Sequence, residues 1–151
     1  KIFEYARENN IPFTIHAGEA DGAESVKSAI EFGAKRIGHG VRVIEDAKLE
    51  EYIKENKIVL EVCPTSNIQT CICNSYATHP ISKLYSDGVL VTINTDNMTV
   101  SNTNLSNEYF NLVNEAKITL EDINKMNKTA INAAFLTEEE KKELLEKYWE
   151  E

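Results

Sequence analysis

Four times along this chain, a short run rich in β-branched and aromatic residues gives way to a polar stretch and then to apolar residues at helical spacing. The first run is Pro12-Phe13-Thr14-Ile15-His16. Its helix is predicted to start near Asp21, with Glu24 as a capping-box partner, and to bury Val26, Ala29 and Ile30. The second run, Arg36-Ile37-Gly38-His39, precedes a helix from Asp46 with Leu49, Tyr52 and Ile53 on one face. The third, Ile58 to Cys63, leads into a long loop and a short helix around Ile81 to Tyr85. The fourth, Leu90 to Asn94, precedes a helix striped by Leu105, Tyr109, Leu112, Val113 and Ala116. Two more helices close the chain, and Thr119 with Asp122 and Thr137 with Glu140 read as their capping boxes.

Such alternation predicts a parallel sheet with right-handed crossovers. Two architectures satisfy it, a doubly wound open sheet or part of an eight-unit barrel. A length of 151 residues is about half that of a typical barrel, and no G-x-G-x-x-G or P-loop favours the nucleotide-binding open sheet. The opening segment reads as the middle of a helix, with Ile2, Phe3 and Ala6 on one face. With no initiator Met, the chain is expected to begin inside a domain.

Charge and cysteine content narrow the functional classes. A net charge of −9 disfavours nonspecific binding to nucleic acid, because nothing in such a chain neutralises phosphates. The acidic run from Thr137 to Glu151 reads as a solvated helix face. No apolar run approaches the roughly 18 residues of a membrane-spanning helix. Three cysteines without a signal peptide point to reduced thiols and a cytoplasmic protein. The Cys71-Ile72-Cys73 pair lacks the second Cys/His cluster of a zinc site.

Polar residues gather directly after each predicted strand: His16-Ala17-Gly18-Glu19, Gly38-His39-Gly40, Cys63-Pro64-Thr65-Ser66-Asn67 and Asn94-Thr95-Asp96-Asn97. In parallel α/β folds the loops at the C-terminal strand ends converge on the active site. A neutral imidazole and a carboxylate suit Zn²⁺, which in catalytic sites lowers the pKa of a water towards about 7. Glu19 lies three residues past His16 and would face the same pocket as a proton donor. His39 would serve as base or electrostatic aid.

At these residues the chain resembles the adenosine deaminase family. The resemblance is carried by His16-Ala17-Gly18-Glu19, Arg36-Ile37-Gly38-His39-Gly40, Glu61-Val62-Cys63-Pro64-Thr65-Ser66-Asn67 and Asn94-Thr95-Asp96. Ile44-Glu45-Asp46, Thr78-His79-Pro80 and Ile131 to Leu136 add to it, so that it spans the whole chain in order. It implies a TIM (β/α)8 barrel, with residues 1–151 as its C-terminal half: four β/α units plus C-terminal helices. It also implies zinc-dependent hydrolysis of adenosine or 2′-deoxyadenosine to inosine or 2′-deoxyinosine and ammonia.

By position the resemblance makes His16 and Asp96 zinc ligands and Glu19 the acid that protonates purine N1. His39 becomes the group that orients the hydroxide attacking C6. Asn97 is the substrate-binding candidate, standing where the family pattern has a second Asp. His79 reads as structural, and Thr65-Ser66-Asn67 as a segment that shapes the pocket or ties down loops. The family's other two zinc ligands form an H-x-H pair that this chain lacks. One zinc per complete site therefore implies a partner, the missing N-terminal half of the barrel, and an isolated chain that is inactive. Alternative readings are an adenine or other purine deaminase, or a noncatalytic half-barrel that self-associates through its open sheet edges.

Overall fold

The β-branched runs form four parallel strands in the computed structural model, which describes residues 1–149. The last two residues of the 1–151 span, and with them the end of the acidic run, lie outside the described residues. Helix α1 (Ile2–Glu8) precedes β1 (Thr14–Ala17). Then come α2 (Ala23–Glu31), β2 (Arg36–His39), a 3₁₀ turn over Val41–Glu45, α3 (Ala47–Glu55), β3 (Val59–Val62), α4 (Pro64–Gln69), α5 (Ile81–Ser86) and β4 (Val91–Ile93). Helices α6 (Met98–Ser101), α7 (Leu105–Glu115), α8 (Leu120–Ala133) and α9 (Glu138–Trp149) follow. No helix among the described residues is long and apolar enough to cross a membrane.

Strand order is β1-β2-β3-β4, every pair parallel. A doubly wound sheet reverses its order at a switch point. This sheet does not, so right-handed crossovers place successive helices on one face, as in a partial (β/α) barrel. That face is apolar: Ile37, Leu60, Val62 and Val91 are buried against the helices. The other face carries a polar row, because residues two apart share a face. In it the Thr14 hydroxyl donates to Glu61 at 2.9 Å and Arg36 Nε donates to Glu61 at 2.6 Å.

Local chemistry explains most helix starts. The Asp46 carboxylate accepts from Lys48 and Leu49 amides at the head of α3, and Thr119 with Asp122 closes a full capping box on α8. Thr137 and Glu140 likewise exchange hydrogen bonds at the head of α9. The expected box of Asp21 and Glu24 does not form. Helix α2 starts at Ala23 behind Gly22, and the Asp21 carboxylate accepts from the Gly22 amide instead. Ser25 takes over this corner, accepting from the Gly18 amide at 2.8 Å and donating to the Gly22 carbonyl at 2.7 Å. The long loop expected after β3 contains α4. Pro64 supplies its pre-set first φ, and the buried Glu108 carboxylate accepts from the Thr65 amide at 3.2 Å.

Two glycines draw β1 and β2 together at their C-terminal ends. Gly18 and Gly40 have φ of +67° and +68°, and the Gly40 amide donates to the Ala17 carbonyl at 2.9 Å. A methyl on Gly40 would lie 2.5 Å from Leu60 Cδ2. Gly40→Ala therefore combines a left-handed backbone with an overpacked core and is expected to cost about 2 kcal/mol or more. The urea unfolding midpoint checks this; an unchanged midpoint would show that the corner can relax.

Candidate active site

The residues that follow the strands meet at one end of the sheet. His16 lies on β1 and its ring centroid is 4.4 Å from that of His39, the last residue of β2. Simple alternation would put His39 on the helix face with Ile37. Its φ of +62° departs from strand geometry at this point, and the ring meets His16 instead. Asp96 has φ of +56°. Such conformations in residues other than glycine cost on the order of 1–3 kcal/mol each and persist where surrounding contacts hold them.

Glu19 lies beside both imidazoles. Its carboxylate is 2.9 Å from His16 Nε2 and 3.6 Å from His39 Nδ1, and accepts from the Thr70 hydroxyl at 3.2 Å. Asp96 Oδ2 lies 3.8 Å from His39 Nε2 and accepts from the Ser66 hydroxyl at 2.8 Å. His39 is buried, which pushes its pKa below the ordinary value and favours the neutral ring. The charge of Glu19 opposes that shift. His16 is exposed on β1, an edge strand among the described residues.

A cleft of about 310 Å³ opens beside Glu19, between Thr70, Cys71 and Arg42. A larger cavity of about 580 Å³ lies between Pro12, Lys35, Lys57 and Phe135, at the strands' N-terminal end. Catalytic groups of such folds sit at the C-terminal end, where the titratable cluster also lies; the smaller cleft is on that side, and of the cluster only Glu19 lines it.

The structure thus brings together His16, Glu19, His39 and Asp96. Asn97 stands next to them at the head of α6, where its side-chain oxygen accepts from the Thr99 and Val100 amides at 3.1 and 3.0 Å. Its oxygen is engaged in capping, which leaves its amide NH₂ for other contacts. His79 is buried and hydrogen-bonded, and burial pulls its pKa down to about 4. The Cys63 thiol is pushed up to about 12 by burial, which makes it inert as a nucleophile near neutral pH.

Ser66 belongs to the segment read from sequence as shaping the pocket, whereas Thr70 and Glu108 were not assigned from sequence. Ser66 and Thr70 hold the site carboxylates, and Glu108 holds Thr65 in the first turn of α4, the helix that carries Ser66 and ends at Thr70. A glutamate on an amphipathic helix gives no local sign that it faces inward.

The whole described chain matches one family. The adenosine deaminase family model covers residues 1–150. An adenosine deaminase from Haemophilus ducreyi is 43% identical over 143 residues, covering 95% of this chain and 42% of the relative. The chain belongs to the adenosine deaminase family. Among solved structures, an adenine deaminase from Arthrobacter aurescens superposes with a TM-score of 0.91 at 24% identity. It is covered to 45%, and this chain to 96%. The Arabidopsis N6-mAMP deaminase superposes with a TM-score of 0.82 at 30% identity, with 93% of this chain and 42% of that one covered. The chain therefore spans less than half the length of these relatives.

Membership in this family of hydrolytic deaminases gives the cluster a chemical context. Among the described residues, His16, Glu19 and His39 are the one group of three or more His, Cys, Asp or Glu residues whose donor atoms converge, all within 4.8 Å. Imidazole nitrogen and carboxylate oxygen are donors that suit zinc, and His16 is the member of this group exposed to the open side; Asp96 lies outside the group, with its Oδ2 3.8 Å from His39 Nε2. Among the described residues, Cys71 and Cys73 belong to no such converging group.

Proposed function

We propose that residues 1–151 form the C-terminal half of a zinc-dependent deaminase of adenosine and 2′-deoxyadenosine. The observation that carries this reading is the meeting of His16, Glu19, His39 and Asp96 at the C-terminal ends of β1, β2 and β4. His16 and Asp96 are the ligands this half contributes, and the remaining ligands come from the N-terminal part of the barrel. Zinc held there would supply hydroxide at neutral pH.

Glu19 donates a proton to N1 of the purine, which draws electron density from C6. Thr70 holds that carboxyl in place by donating to Oε1 at 3.2 Å. His39 orients the attacking hydroxide and stabilises charge as it adds to C6. The proton of the new C6 hydroxyl then passes to the amino group, the C6–N bond breaks, and ammonia leaves with the 6-oxo purine remaining. The proton lost by the attacking water restores the Glu19 acid. Ser66 fixes the rotamer of Asp96 through its 2.8 Å hydrogen bond. Asn97 contacts a ring nitrogen through the amide NH₂ that capping leaves available.

Support for nucleoside as substrate comes from the 43% identity to an adenosine deaminase, against 24% and 30% to the adenine and N6-mAMP deaminases. The test is ammonia release by the full-length, metal-loaded protein from adenosine, 2′-deoxyadenosine, adenine and N6-methyl-AMP. The two nucleosides are expected to show the highest kcat/KM. Faster turnover of adenine or N6-methyl-AMP would move the assignment to that substrate.

A further inference from the structure

Behind His39 runs a chain of buried hydrogen bonds that begins at a backbone amide. The Ile81 N–H, at the start of α5, points at His79 Nδ1 at 3.0 Å. A backbone amide is always a donor, so Nδ1 of His79 must accept, and the proton of the neutral ring sits on Nε2. His79 stays neutral because it is buried, with its pKa held down to about 4. Its Nε2–H donates to Asn67 Oδ1 at 3.2 Å. That contact settles which way the Asn67 amide faces, so its NH₂ group is the one 3.0 Å from His39 Nδ1. The nitrogen of His39 that meets an NH₂ must accept. Glu19 Oε1 lies 3.6 Å from the same nitrogen, beyond hydrogen-bond reach.

We propose that Asn67 and His79 are positioning residues that lock His39 in the Nε2–H tautomer, with that N–H directed into the active site. The consequence for catalysis rests on the deaminase reading above; the protonation pattern does not. Asn67 is completely buried and His79 nearly so, so no solvent competes for these bonds. The relay also removes His39 from the ligand set. Binding a metal through Nε2 would put the proton on Nδ1, against the Asn67 NH₂, with two donors facing each other. His39 Nε2 is 3.8 Å from Asp96 Oδ2, and so it presents a donor N–H beside that carboxylate. This is the arrangement that orients a nucleophilic oxygen rather than ligates a metal.

The test is ¹⁵N spectroscopy of histidine-labelled, full-length enzyme loaded with zinc, with His39 and His79 assigned through His39→Gln and His79→Gln. The native enzyme should show His39 with Nε2 protonated and Nδ1 bare, and His79 with the same pattern. Asn67→Asp keeps the shape but replaces the donor facing His39 with an acceptor. It should invert the His39 pattern and lower kcat on the order of 10²-fold, with KM little changed. A protonated Nδ1 on His39 in the native enzyme would overturn the proposal, even if the variant failed to fold. So would an unchanged pattern in Asn67→Asp, or an inverted pattern with full kcat. The expected pattern in an enzyme that deaminates no purine would uphold the relay and overturn the deaminase reading.

Discussion

Glu19→Gln in the full-length enzyme is expected to lower kcat for adenosine by on the order of 10²–10⁴-fold while leaving zinc content near one per site. Glutamine keeps the size of the side chain and can still accept from the Thr70 hydroxyl, which lies 3.2 Å from Oε1. It can no longer deliver an acid proton to N1. Measuring kcat and bound metal on the same sample separates two roles that the geometry alone brings close together. Glu19 shares a converging donor set with His16 and His39, so a ligand role predicts loss of metal as well as turnover. The acid role predicts loss of turnover alone. Normal adenosine turnover in the variant would remove Glu19 from the chemistry altogether. His16→Ala serves as the contrast, because a ligand assignment there predicts loss of both.

The second large effect concerns the 151-residue chain by itself. Its purified form is expected to hold far less than one zinc per chain and to show no measurable adenosine turnover. Catalytic zinc sites use three protein ligands with an open position, and the proposed assignment takes only two, His16 and Asp96, from this chain. His16 also stands exposed on an edge strand among the described residues, where nothing in this half closes the site around it. Co-expression with the N-terminal portion of the barrel is expected to restore metal and activity together. Equimolar zinc and turnover in the chain alone would show that these residues complete a site without it. Size-exclusion chromatography of the same sample reports whether the open sheet edges pair with a second copy.

Strands and caps were legible because they are local. β2 spans Arg36–His39 as read, and Asp46, Thr119 and Thr137 cap the helices they were expected to cap. Where a local signal failed, a different contact had replaced it, near in the chain in one case and far in the other. Asp21 was a plausible cap until Ser25 tied the corner to Gly18, and α4 was hidden in a loop because Glu108, 43 residues from Thr65, steadies its start. Asn97 was read only as a substrate contact, although an Asn followed by two residues with free amides is also a helix cap.

From the sequence alone came the four β/α units, the polar residues after each strand and the family they resemble. Each of these is written within a few neighbouring positions, by periodicity or by residue type. The tertiary structure decided what those residues do to one another. It chose the barrel-type strand order over the doubly wound one, and it brought the His39 ring to His16 despite strand alternation. It also set Asn67 between two histidines that are 28 and 12 residues away along the chain. The direction of a proton on an imidazole is fixed by whichever group faces its other nitrogen, and no local pattern records which group that will be.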